Sequence, residues 1–155
     1  MPSCVTKTSI GISHRGVEPL TTFNYETLEH RIGHNFADAL LLARASTHKS
    51  FFNENNDKIV GHNEKLEFLG DAVLDLSLSH KLMEQFPEFD EGHLSKLRAS
   101  LVNEKTLAEL AVELKLQELL RLGKGESQSG GREKPRLLAS ALEALIGAFY
   151  LDAGF

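Results

Sequence analysis

Cysteine is nearly absent. Cys4 is the only one in 155 residues, so neither an intramolecular disulfide nor a thiolate zinc set can form. Long apolar runs are missing as well. The first twenty residues hold no apolar stretch of signal-peptide length. The longest apolar run, residues 137–151, is too short to span a bilayer and carries Glu143 at its middle. Together these absences point to a cytoplasmic protein with no membrane contact. Positive charge is in deficit too: 17 Lys and Arg stand against 22 Asp and Glu, a net charge of −5. That argues against binding nucleic acid through a generally basic surface. Nucleic acid itself is not excluded, because acids gathered around a metal can outweigh a local basic patch. Strand-type alternation and internal repeats are absent, and the fold expected is all-α.

What is there suits one domain with a single core. Residues 1–22, rich in Pro, Gly, Ser and Thr without a sustained period, are expected as a loosely ordered leader, with the domain at 23–155. Residues 25–32 and 36–45 read as short amphipathic helices broken at Gly33, and 51–61 as a polar loop. A long helix opens near Asn63, a good cap residue, and must end by Phe86, before Pro87. Asp90 caps a helix over roughly 93–102, and Asn103 starts another through Leu114. Residues 123–134 form the clearest loop. Pro135 then opens a final helix to about Ala153, which Gly154 ends.

The long helix begins N-E-K-L-E-F-L-G-D, three carboxylates in an apolar segment. Glu64, Glu67 and Asp71 fall at about 0°, 300° and 340° around the axis, on one face. Leu66, Phe68, Leu69, Ala72, Val73, Leu74, Leu76 and Leu78 cover most of the rest. Like charges one turn apart repel, and no Lys or Arg of this helix shares their face. A hard divalent ion is the simplest occupant. The final helix repeats the anomaly: Glu143 stands alone among apolar residues, with Ser140 three positions earlier on the same face. Gly70 and Gly147 would let the two axes approach, so that one cation could serve both helices. Taken alone, the three acids would more commonly be a solvated stripe, at roughly two to one.

The segment N-E-K-L-E-F-L-G-D-A-V-L at 63–74 resembles the most specific motif of the ribonuclease III family. In the family's order follow L-E-H-R-I-G-H-N at 28–35, T-H-K-S-F at 47–51, E-G-H-L-S-K-L-R-A-S-L at 91–101, L-G-K-G-E at 122–126, G-G-R-E-K-P at 130–135 and L-E-A-L-I-G-A at 142–148. The resemblance implies an all-helical homodimer that holds double-stranded RNA and hydrolyses each strand with Mg2+, leaving 5′-phosphate and 3′-hydroxyl ends. Mn2+ would substitute. By position, Glu67, Asp71 and Glu143 resemble the metal-binding and catalytic acids, Asp71 and Glu143 foremost in catalysis. Glu64 and Glu91 match acids of secondary role. Ser140 departs from the pattern, standing where most members carry an Asp ligand, so the expected site is weakened, not absent. A further departure is that the last helix and the double-stranded-RNA-binding domain usual in the family do not follow Phe155.

Lys124, Arg132, Lys134 and Arg136 gather around the glycine-rich loop and resemble phosphate-contacting groups, though a solvated loop has the same composition. Lys96 and Arg98 fit a backbone contact or a surface ion pair equally. Asp75 reads as exposed, or paired with Lys81 or another base. The seven His form no ligand set, and His48 reads as a hydrogen-bonding residue. The Leu and Phe stripes read as core or dimer contact. Two functions stand side by side: a Mg2+-dependent endonuclease of double-stranded RNA, and a catalytically weak or inactive RNA-binding dimer. A fragment unstable without its last helix is a third expectation.

Overall fold

The computed structural model describes residues 25–56 and 59–155, and the expected leader lies outside them. Along the chain run α1 (Glu26–Ile32), α2 (Ala39–Ala45), α3 (Lys49–Asn55), α4 (Glu64–Gln85), α5 (Glu91–Leu101), α6 (Glu104–Glu113), α7 (Leu116–Leu119), α8 (Lys124–Gln128), a 3-10 turn (Gly131–Glu133) and α9 (Pro135–Ala153). The described residues form no strand, only an isolated parallel bridge between Thr47 and Arg121. The all-α expectation holds. No helix among them is long and apolar enough to cross a membrane.

The centre is α9, whose Leu138, Ala139, Ala141, Leu142, Ala144, Leu145, Gly147 and Ala148 are buried. Helices α2, α4 and α6 pack around it. Leu107, Ala108 and Ala111 of α6 join Leu138, Leu142 and Leu145 in the main apolar cluster. The approach of α4 to α9 is backbone to backbone. A methyl on Gly70 would run into the carbonyl of Glu143, and one on Gly147 into the carbonyl of Leu66. The two glycines work as their positions suggested.

Several boundaries differ from the sequence reading. The polar loop expected at 51–61 is partly α3, because His48 accepts the Ser50 N–H through Nδ1 at 3.2 Å and caps a helix there. The second helix starts at Ala39, where Asp38 accepts the Leu40 N–H. The loop expected at 123–134 holds α8 and the 3-10 turn, and the short α7 was not anticipated. Asn63 does precede α4, but it sits in the αR region, makes no side-chain cap and is buried. Asp90 and Asn103 cap as expected, accepting from His93 and Thr106.

Much of the apolar surface of α4 stays outside this core. Phe68, Leu76 and Met83 are 81%, 58% and 63% exposed. Between α4 and α5 lies an open groove of about 390 Å³ lined by Ser79, Leu82, Met83, Glu91, Leu94, Ser95 and Arg98.

Candidate active-site cleft

Where α4 and α9 meet, their polar faces open into a cleft of about 600 Å³. Glu64, Glu67, Phe68 and Asp71 line it from α4, and Arg136, Leu137, Ser140 and Glu143 from α9. His48, Lys49, Asn63 and Glu126 complete the wall. The glycine contacts hold the helices close enough for a direct bond between them: the Ser140 hydroxyl donates to Glu67 Oε1 at 2.8 Å.

Thr47 places the flank of the cleft. Its side chain is fully buried and donates to the Ala43 carbonyl at 2.6 Å, while its own carbonyl accepts the Asn63 N–H at 2.9 Å. The start of α3 is thereby fixed beside the start of α4. Lys49 follows directly and reaches Glu64, Nζ to Oε1 at 2.8 Å. That hydrogen bond holds the Glu64 carboxyl below its usual range. The acid face therefore has a cationic partner, but one supplied by another helix, where the sequence offered none. Gly123 and Lys124 are pinned on the far side of α3, their N–H groups donating to Ser50 Oγ and Glu54 Oε2. This sets α8 so that Glu126 lines the cleft, paired with Lys134 at 2.6 Å.

The electrostatics single out Glu143. Burial, then the charges of Asp71 and Glu67, push its carboxyl up to about 7. Like charges facing one another across the cleft are the condition that a cation relieves. Among the described residues no three Asp, Glu, His or Cys side chains converge closely enough to enclose an ion as they stand. The donor chemistry nevertheless fits a hard divalent cation: three carboxylates and a hydroxyl, all oxygen. Side-chain rotation is what such an ion would require.

The other candidates are dispersed. Glu91 does not line the cleft; it lies in the groove between α4 and α5 and accepts from Ser95 Oγ at 2.6 Å. Arg98 is in that groove too, donating to Ser79 Oγ at 2.7 Å, with Asp75 at 4.0 Å. Lys81 instead pairs with Glu84. Arg132 turns back to the Gln117 carbonyl, and Lys134 is held by Glu126 and Ser129. Lys96 and Lys124 are exposed. His48 caps α3, as a hydrogen-bonding residue would, and burial pushes its imidazole down. The sequence reading missed Lys49 and Glu126 and did not place Arg136 at the acids. Arg136 had a signal, since it precedes Ser140 and Glu143 by four and seven residues on one helical face.

Comparison with known proteins finds clear relatives of this domain. A family model described as Ribonuclease-III-like matches residues 38–155. The Ribonuclease 3 of Bdellovibrio bacteriovorus is 59% identical over 130 residues, 84% of this chain and 55% of that protein. That of Syntrophobacter fumaroxidans is 54% identical over 129 residues, 83% of this chain and 53% of the relative. Among solved structures, a nuclease domain of ribonuclease III from Campylobacter jejuni, described as flexible in a region involved in dimer formation, gives a TM-score of 0.78 at 49% identity. It covers 84% of this chain and 87% of its own. The chain spans about half the length of the curated relatives it matches.

Proposed function

Because this chain belongs to the ribonuclease III family, we propose that it is the nuclease part of a Mg2+-dependent endoribonuclease that hydrolyses double-stranded RNA in the cytoplasm. RNA processing, of ribosomal precursors and structured transcripts, is the role this serves. The single observation that carries the reading is the facing of Glu67 and Asp71 on α4 with Ser140 and Glu143 on α9 across one cleft. Glu67, Asp71 and Glu143 would hold the ion. When bound, it supplies positive charge to phosphate oxygens and acidity to water, consistent with 5′-phosphate and 3′-hydroxyl ends. Mn2+ shares the preference for oxygen donors and is expected to substitute. The chain's own part is to bring three carboxylates to one phosphodiester and to orient Glu67 through Ser140. Lys49 and Arg136 at the rim suit the flanking phosphates.

A homodimer belongs to the same reading. The apolar stripe of Phe68, Leu76 and Met83 with the α4–α5 groove is the surface a second copy would cover, and it would bring the partner copy's cleft alongside. Glu91, in that groove, would then act across the interface or toward RNA.

The test is cleavage of an end-labelled perfect RNA duplex with Mg2+, Mn2+ or EDTA. Metal-dependent cutting that falls by about 100-fold or more in Asp71→Asn, roughly 3 kcal/mol in the barrier, supports the endonuclease. Cutting that survives Asp71→Asn would sink the mechanism. A second reading, a duplex-binding dimer with weak or no cleavage, rests on the neutral Ser140 and on donors that do not converge unaided. It gains if the folded chain shifts duplex RNA on a gel without cutting it.

A further inference from the structure

Ser140 brings a hydroxyl in among the carboxylates of Glu67, Asp71 and Glu143, and its proton is already committed. It donates to Glu67 Oε1 at 2.8 Å across the α4–α9 junction. That junction cannot drift, because the Gly70 and Gly147 contacts are backbone on backbone. An O–H bonded to an ionised carboxylate is a strong, charge-assisted contact, whereas a neutral hydroxyl is a poor ligand for a hard cation. The hydroxyl therefore stays with Glu67. One lone pair of Glu67 Oε1 is taken from the side, which weakens that oxygen as a donor and leaves Oε2 the stronger ligand.

We infer that Ser140 is a positioning residue that disfavours two-oxygen coordination by Glu67, and so biases this site toward Mg2+ and against Ca2+. The inference rests on the metal-dependent reading of the cleft. Its physical basis is the difference between the two ions. Mg2+ is small and octahedral, is bound through few carboxylates and retains water. Ca2+ takes six to eight oxygens and accepts both oxygens of one carboxylate readily. Releasing Oε1 from Ser140 eases two-oxygen binding, and that benefits the larger ion more.

The experiment is calorimetric titration of the purified chain with MgCl2 and with CaCl2, without RNA, comparing the wild type with Ser140→Ala, Ser140→Cys and Ser140→Thr. The ratio of the Ca2+ to the Mg2+ dissociation constant is expected to fall by about fivefold in Ser140→Ala, the scale of one hydrogen bond to a charged group at a half-exposed site. Ser140→Thr keeps the hydroxyl and should restore the wild-type ratio. Ser140→Cys, a weak donor of similar size, should fall with Ala and serves if the Ala variant is unfolded. An unchanged ratio in both the Ala and the Cys variant overturns the inference. So does equal weakening of both ions, which would mark Ser140 as a direct ligand. A wild-type chain that binds neither ion overturns the metal reading itself, and this inference with it.

Discussion

Glu143 and Asp152 show how a carboxyl takes opposite roles at the middle and at the C-terminal end of α9. Glu143 lies half-buried against two other acids, and its carboxyl is pushed up to about 7. Such a group binds more protons folded than unfolded. Its stabilising contribution is therefore present below its usual value of 4.5 and is lost as pH rises through about 7. In EDTA at pH 8, Glu143→Gln should accordingly raise stability by about 1 kcal/mol, the full shift being discounted for partial exposure. Urea denaturation at pH 8 measures this, and a destabilised variant would contradict it. Asp152 is the reverse. It accepts the N–H groups of Ala37 and Asp38, each at 3.0 Å, and His34 Nε2 at 2.8 Å, ahead of α2. The Asp38 and Ala37 bonds, outweighing burial, hold its carboxyl below the usual 3.8. Its contribution is present above that value and lost as pH falls below it. Asp152→Asn should lower the melting temperature at pH 7, with the gap to wild type closing in acid below pH 3.8. Thermal scans from pH 7 to pH 3 decide it.

At the scale of elements, the site is a product of two helices held unusually close. Gly70→Ala would set a methyl against the Glu143 carbonyl, and backbone cannot rotate aside as a side chain can. A loss of about 3 kcal/mol is expected, at the upper end for overpacking, together with loss of the Ser140–Glu67 bond. Denaturation midpoints in urea check the first part. A variant as stable as wild type would mean that the two helices separate freely. The short elements serve the long ones. The Thr47–Arg121 bridge and the His48 cap fix α3, and α3 sets Lys49 and α8 at the rim.

At the scale of the whole molecule, the buried core accounts for one side of α4 only. Leu82 and Leu66 are buried, whereas Phe68, Leu76 and Met83 are not. A double variant Leu76→Glu, Met83→Glu should leave the fold intact, because neither side chain is part of the core. If the proposed homodimer forms through this stripe, the double variant should sediment as a monomer in analytical ultracentrifugation where the wild type sediments as a dimer. A variant that sediments like wild type would place the interface elsewhere.

The sequence by itself determined the features whose physical cause is local. Pro87, Pro135 and Gly154 bound the two long helices, and helical periodicity put Glu67 with Asp71 and Ser140 with Glu143 on shared faces. The glycine-rich stretch misled because its single turns, α8 and the 3-10 segment, are held by contacts from outside it. Only the tertiary structure decided which faces meet. It bonded Ser140 to Glu67, gave Glu64 a cation from α3, and brought Glu126 and Arg136 to the cleft. It also sent Glu91 to the α4–α5 groove and turned Arg98, Arg132 and Lys134 onto partners within the chain. The spacing of residues along a helix fixes direction around one axis. The distance between two axes depends on every contact in between.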